Sequence, residues 1–333
     1  MPQPTVSILM PCHNAARFLP AALDSILAQT LEDWELITVD DGSTDATPEI
    51  LAEYARDARI TLLRRSHGGI VASLQDAAEV ARAPFLARMD ADDISLPGRL
   101  EAQLRFLETH PSVALCGTQV EMIGAELGEG RLRYRDWLNA LVTPADVACE
   151  AFIECPVAHP AFCMRRESFE AVGGYQDKGW AEDYDLVLRF LAAKHEVTNV
   201  PQVLLHWRES PGRLSMRDGR YEETQFRACK RHYLKRLYLN GDGPPLYQWG
   251  AGEVGKRWLR DTDAFPIEAV VDIHPRKIGT KIHGVRVIAP DDLPPAGDCR
   301  ILVAVGAPGA RENIREWLDP RGFREGDDYR FIA

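Results

Sequence analysis

The chain has none of the features that would tie it to a membrane span, a disulfide scaffold or a repeat array. No apolar run approaches the roughly 20 residues a bilayer-spanning helix needs. Before the apolar run Val6-Ser7-Ile8-Leu9-Met10 there is too little length and charge for a signal peptide. The expectation is therefore a cytoplasmic protein whose only membrane contact would be peripheral, at the inner face. The seven cysteines (Cys12, Cys116, Cys149, Cys155, Cys163, Cys229, Cys299) are odd in number and contain no Cys-x-x-Cys pair. Most lie in apolar runs, which points to reduced, buried thiols. A basic excess is also missing: the net charge of -11 gives no footprint for nucleic acid, although it leaves room for a small basic pocket. Internal repeats and low-complexity segments are absent.

What is present is ordinary globular material. At 333 residues, 45% hydrophobic and 27% charged, the chain can build two cores and is not extensively disordered. The first hundred residues alternate strand and helix signals. Strands are expected at Val6–Met10, Trp34–Val39, Ile60–Leu63 and Phe85–Met89. Helices are expected at Ala15–Gln29, near Ala46–Arg56, and from Gly68-Gly69 to about Ala81. Repeated βα units imply an α/β fold with a mostly parallel central sheet and helices on both faces. Ligands of such sheets bind beyond the carboxyl ends of the strands. Three of those ends carry polar residues: Pro11–Asn14, Asp40–Ser43 and Asp90–Asp93.

Further on the pattern is mixed. Strands are expected at Ala114–Ile123 and Ala161–Met164, with Pro201–Trp207 as an edge strand. Helices are expected at Ala145–Ile153, before Gly173-Gly174, and at Glu182–Lys194. The stretches Gly124–Thr143 and Glu154–His159 read as loops. Arg217–Leu239 is basic and amphipathic, with Arg227, Lys230, Arg231, Lys235 and Arg236 opposite Phe226, Tyr233, Leu237 and Tyr238. It suits an anionic membrane surface, or a helix that joins two domains and packs on both. Gly241–Pro245 reads as a linker. Beyond it lies a smaller α/β unit, where Gly250-x-Gly252-x-x-Gly255 opens a helix after a strand and Asp272 ends the next strand. That context fits a phosphate- or dinucleotide-binding turn, and equally a structural domain.

Met89-Asp90-Ala91-Asp92-Asp93 places three carboxylates within four positions at the end of an apolar run. They can hold a divalent cation, or form a solvated turn before the next helix, which Pro97 opens. Asp41 before Gly42 can be turn chemistry that caps a helix. Glu182 and Asp183 can be acids favoured by a helix N-terminus. His159 can line a pocket or serve the core.

Five elements stand in one order: Val6–Asn14, Val39–Asp45, Met89–Asp93, Gly173-Gly174-Tyr175 and Ala181–Asp185. Over Val6 to about Ser215 the chain resembles the inverting family 2 glycosyltransferases of GT-A fold. The resemblance implies that Pro11 and its neighbours, including Asn14, line a nucleotide pocket, and that Asp41 accepts a hydrogen bond from the donor's base. It implies that Asp90 and Asp92 hold Mn²⁺ or Mg²⁺, with Asp92 the direct ligand. Asp183 would be the catalytic base, with Glu182 raising its basicity, fixing a loop or meeting the acceptor. The implied donor is a nucleoside-diphosphate sugar, UDP-linked before the others. The implied acceptor is a carbohydrate or a lipid-linked one, in surface polysaccharide or glycolipid synthesis. Two departures stand out. Ser210 occupies the place of a histidine that completes the metal site in many relatives, with His206 four residues upstream. The Gln-x-x-Arg-Trp element of processive relatives is missing. The expected organisation is 1–216 as the GT-A domain, 217–243 as a basic helix and linker, and 244–333 as a small Rossmann-like domain. Two rivals remain: an inactive nucleotide-sugar sensor or scaffold, and an NAD-dependent oxidoreductase working through Gly250, Gly252, Gly255 and Asp272.

Overall fold

The computed structural model describes residues 3–124, 127–210, 212, 216–239, 243–260 and 266–333. Gly241 and Asp242 of the expected linker lie outside the described residues. The chain divides into two compact units, Met1–Val147 with Cys155–Gln225 and Ala148–Glu154 with Phe226–Ala333.

The first unit begins with β1 (Val6–Cys12), α1 (Leu19–Leu27), β2 (Trp34–Asp41), α2 (Thr47–Tyr54), β3 (Ile60–Arg65) and α3 (Ile70–Val80). Then come β4 (Phe85–Arg88), β5 (Ile94–Ser95), α4 (Arg99–Thr109), β6 (Val113–Gly124), α5 (Glu129–Ala140) and α6 (Pro144–Glu150, as far as Val147). A 3₁₀ turn at His159–Ala161 leads into β7 (Cys163–Arg165), α7 (Arg166–Ala171), α8 (Glu182–Ala192) and β8 (Glu196–Glu209). Eight strands form one sheet in the order β3-β2-β1-β4-β7-β6-β8-β5. β1 pairs in parallel with β2 and β4, and β2 with β3. β7 runs antiparallel between β4 and β6, while β6 and β8 are parallel. β1 and β2 are buried along almost their whole length, so neither shows a strict alternation of apolar and polar residues. Because β2 and β4 flank β1, the strand order reverses there, and a crevice opens at the carboxyl ends.

Several expectations need correcting. α1 starts at Leu19 rather than Ala15. The backbone N–H groups of Asn14, Ala15 and Ala16 donate to Ser43, Thr47 and Asp45 side chains, which holds this stretch in a turn, and Asn14 takes φ 50°. Asp41 caps no helix; Asp45 Oδ1 accepts from the Thr47 N–H at the start of α2. Pro201 does not open an edge strand. β8 runs through it, with the pairing to β6 shifting register between Thr118 and Gln119, and β5 lies on its other side. The stretch expected as a loop before Thr143 contains α5.

The second unit contains α9 (Glu223–Leu237, from Phe226 on), β9 (Leu246–Trp249), α10 (Glu253–Arg260), β10 (Ile267–Val271), β11 (Lys281–Ile282) and β12 (Val285–Ile288). It ends with β13 (Arg300–Val303), α11 (Ala310–Leu318) and β14 (Tyr329–Phe331). Its sheet has the order β11-β12-β10-β9-β13-β14, parallel except for β11. In α9, Lys230 is not on a basic solvent face. It is buried, and its ammonium donates to the carbonyls of Ile153 at 2.7 Å and Ile332 at 3.2 Å. Among the described residues no helix is long and apolar enough to cross a membrane.

Candidate active site

A cleft of about 770 Å³ lies at the carboxyl edge of the first unit's sheet. Pro11 near the end of β1 and Asn14 just after it, Asp41 ending β2, Asp90 and Asp92 after β4, and Glu182 and Asp183 opening α8 all line it. Residues 11 and 183 are far apart in the chain; strand register brings their segments to one edge. Trp207, Arg208 and Ser210 at the end of β8 line the same cleft.

The Asp90–Asp93 turn is only partly solvated. Asp93 is 1% exposed, and each of the three carboxylates offers an oxygen within 4.8 Å of the others'. Arg88, the buried last residue of β4, sets its guanidinium 2.5 Å from Asp90 Oδ2. Asp93 Oδ1 accepts from the Arg208 N–H at 2.6 Å, whereas its Oδ2 is buried and has no hydrogen-bond partner. Arg208 Nε donates to the Asp92 carbonyl at 2.6 Å. Burial, and then the charge of Asp90, push the Asp92 carboxyl up to about 6. The same causes, with Asp92 added, hold Asp93 well above the usual range. Such crowding is relieved by a proton or a cation. Among the described residues no histidine joins the three carboxylates; Ser210 lines the cleft, and His206 pairs with Ile94 in the sheet.

Glu182 and Asp183 diverge, as neighbours on a helix must. Glu182 is fully buried, and the Tyr221 hydroxyl donates to its carboxylate. Burial, and then the charge of Asp183, push Glu182 up to about 7. His159 sets Nδ1 3.6 Å from Glu182 and Nε2 2.9 Å from the Tyr175 hydroxyl. Burial, and then Arg88, keep its imidazole neutral well below the usual histidine range. Asp183 Oδ1 accepts the Tyr184 N–H at 2.7 Å. Asp185, one turn into the buried side, anchors the helix start through Arg189 at 2.7 Å and Trp180 at 2.9 Å.

At the far end of the cleft Asp41 is 3% exposed, its carboxylate held by the N–H groups of Gly68 and Gly69, both at 2.8 Å. Gly42 makes this possible. It takes φ 70°, and a Cβ there would stand 2.8 Å from His67 N. His13, His67, Arg17, Arg217 and Tyr221 also line the cleft, and sequence reasoning did not single them out. The available signal was His67-Gly68-Gly69, which follows a strand end as the three suspected motifs do.

In the second unit Gly250 takes φ 115° and its carbonyl would lie 1.9 Å from a Cβ on Gly255. Asp272 accepts from the N–H groups of Ala251 at 3.0 Å and His274 at 2.8 Å, with Lys277 Nζ at 3.0 Å. Its carboxylate thus ties the glycine turn to the end of β10.

Comparison with known proteins gives the chain a family. The family model for glycosyl transferase family 2 matches residues 7–173. EpsE of Bacillus subtilis, itself assigned as a glycosyltransferase, is 32% identical over 68% of this chain and 83% of its own length. The amylovoran biosynthesis glycosyltransferase AmsE of Erwinia amylovora is 30% identical over 64% of this chain and 79% of its own. Among solved structures, S. aureus TarS 1-349 in complex with UDP-GlcNAc superposes with a TM-score of 0.58 at 17% identity, covering 72% of this chain and 67% of that one. The mannosyltransferase PcManGT of Pyrobaculum calidifontis, in complex with GDP-Man and Mn²⁺, gives a TM-score of 0.50 at 21% identity over 73% and 66%. These last two likenesses speak to the fold. With the family model spanning half the chain and EpsE aligned over two-thirds of it, the protein belongs to glycosyl transferase family 2 and is a glycosyltransferase.

Proposed function

We propose that the chain transfers a sugar from a nucleoside-diphosphate sugar to an acceptor hydroxyl with inversion, assisted by a divalent cation. One observation carries this reading: carboxylates from three distant segments converge on a single cleft of the first unit. The nucleotide complexes of TarS and PcManGT support a nucleoside-diphosphate donor. The name of AmsE supports a biosynthetic role, and we assign a carbohydrate or lipid-linked acceptor.

The residues after β4 suit a hard cation such as Mg²⁺ or Mn²⁺. They offer oxygens only, their charges repel, and one buried carboxylate oxygen of Asp93 has no partner. Asp92 is the fitting direct ligand, because Asp90 is already paired with Arg88. Once bound, such a cation supplies Lewis acidity to the diphosphate oxygens. The chain supplies the rest. Arg17, Arg208 and Arg217 bring positive charge to the cleft that must hold the diphosphate. Asp183, exposed to the cleft beside the fully buried Glu182, accepts the proton of the acceptor hydroxyl as it attacks the anomeric carbon. Attack opposite the departing diphosphate inverts that carbon.

The test is incubation with UDP-, GDP-, CDP- and dTDP-sugars, with and without Mn²⁺, followed by assay of the released nucleoside diphosphate. Release from one donor that depends on the cation is the expected result. Binding without release from any donor would favour the sensor reading, for which Ser210 in the histidine's place is the best argument.

A further inference from the structure

The second unit carries a basic sheet edge that the transfer reaction does not use. Between Asp272 and Asp291 the chain has no acidic residue, yet it has Arg276, Lys277, Lys281 and Arg286, with His274 and His283 among them. This concentration stands in a chain whose net charge is -11. Its backbone is well tied. The N–H groups of Lys277 and Ile278 donate to the His274 carbonyl, that of Gly279 to Val287, and that of Val287 to Thr280. β11 and β12 then close the edge as an antiparallel hairpin, turning at His283 and Gly284 with φ 47° and 86°. Lys277 is committed to Asp272 at 3.0 Å, whereas Arg276, Lys281 and Arg286 are exposed. Lys281 and Arg286 are direct cross-strand partners, so two like charges stand side by side on one face of the hairpin. Such a pair is destabilising by itself, and an anionic partner relieves it.

Ile273 opens this segment and is 75% exposed, more than any other large hydrophobic side chain among the described residues. The Asp272 N–H donates to the Ile288 carbonyl, two residues beyond Arg286, so Ile273 starts within roughly 10 Å of the like-charged pair along the strand. A lone exposed isoleucine is ordinary. One set beside exposed cations has the makeup of a bilayer contact, with charges for the headgroups and an aliphatic side chain for the acyl boundary. We propose that Ile273–Arg286 docks the protein on an anionic phospholipid surface, Ile273 entering the interface while Arg276, Lys281 and Arg286 meet the lipid phosphates. Nucleic acid fits the segment less well, since it offers no Phe, Tyr or Trp on which bases would stack. The other basic segment, α9, fits a bilayer less well: its Tyr233, Leu234 and Tyr238 are buried, and so is Lys230. The inference concerns the second unit and stands whatever the donor is.

Sedimentation of the full-length protein with vesicles tests this, phosphatidylcholine alone against phosphatidylcholine mixed with phosphatidylglycerol. Binding to the mixed vesicles only, weakening as salt is raised, is the expected result. Each Lys or Arg near an anionic leaflet is worth about a fivefold change in partitioning, so Arg276→Gln with Lys281→Gln should weaken binding about 25-fold. Ile273→Ser should weaken it about tenfold, the scale of one aliphatic side chain leaving water. Lys235→Gln with Arg236→Gln, on α9, should bind as the unmodified protein does. All five replaced side chains are exposed, so melting temperatures should hardly move, which separates lost docking from lost folding. Absence of binding to either vesicle, undiminished binding of Arg276→Gln with Lys281→Gln, or loss through the α9 pair instead would overturn the assignment.

Discussion

The Tyr221 hydroxyl lies 2.8 and 3.0 Å from the two oxygens of Glu182, a carboxyl with no solvent exposure. Burial is the stronger influence on that carboxyl, ahead of the charge of Asp183, so its proton is retained up to about pH 7 in the fold against an ordinary value of 4.5. The folded state therefore binds a proton that the unfolded chain has already released. Stability from this source is complete below pH 4.5 and is lost as pH rises towards 7, by about 3 kcal/mol in all. Glu182→Gln is permanently neutral and should lack this loss. Melting curves from pH 4.5 to 8 should show the variant gaining on the unmodified protein as pH rises. Parallel curves would mean that Glu182 titrates normally.

Asp183 is the partly exposed member of the acidic pair, and its replacement should bear on chemistry rather than on the fold. Asp183→Asn should lower kcat by a factor of about 10² to 10⁴, the range for a lost general base. Donor affinity should stay nearly unchanged, since no contact of Asp183 with the donor is needed to bind it. A variant that retains full turnover would take Asp183 out of the mechanism.

Asp92 carries the opposite signature. Three crowded carboxylates destabilise the metal-free protein, and burial with Asp90 already raises Asp92 to about 6. Asp92→Asn should therefore melt higher than the unmodified protein in the presence of a chelator. It should also lose the extra stabilisation that Mn²⁺ and donor together confer. If divalent-dependent stabilisation persists in the variant, Asp92 is not the ligand.

The parts of the fold visible in the sequence were those with strong local signals. β1, β2 and β4 are apolar runs ended by polar residues, and α8 is amphipathic from its acidic first turn. Boundaries failed where side chains compete for the backbone. The side chains of Ser43, Asp45 and Thr47 hold Asn14, Ala15 and Ala16 in a turn ahead of α1, which begins at Leu19. Pro201 looked like a strand start because its cost is absorbed by a register shift that only the partner strand reveals. In the site, residues belonging to acidic motifs were legible. His67 and Tyr221 were not, because what makes each of them matter is a partner distant in sequence: His67 meets Asp41 across 26 residues and Tyr221 meets Glu182 across 39.

The glycine pattern of the second unit can be separated into its structural and open positions. A Cβ on Gly255 would lie 1.9 Å from the Gly250 carbonyl oxygen and 2.8 Å from its carbon, both backbone atoms, so α10 would have to move away from β9. A Cβ on Gly252 meets nothing within 4 Å. Gly255→Ala should therefore destabilise the second unit by about 3 kcal/mol or more, as overpacking against backbone does. Gly252→Ala should melt within about 0.5 kcal/mol of the unmodified protein, the usual range where nothing is displaced. Denaturant unfolding of the two variants side by side decides it. Equal stability would mean that the close approach of α10 to the Gly250 turn is not what requires glycine at position 255.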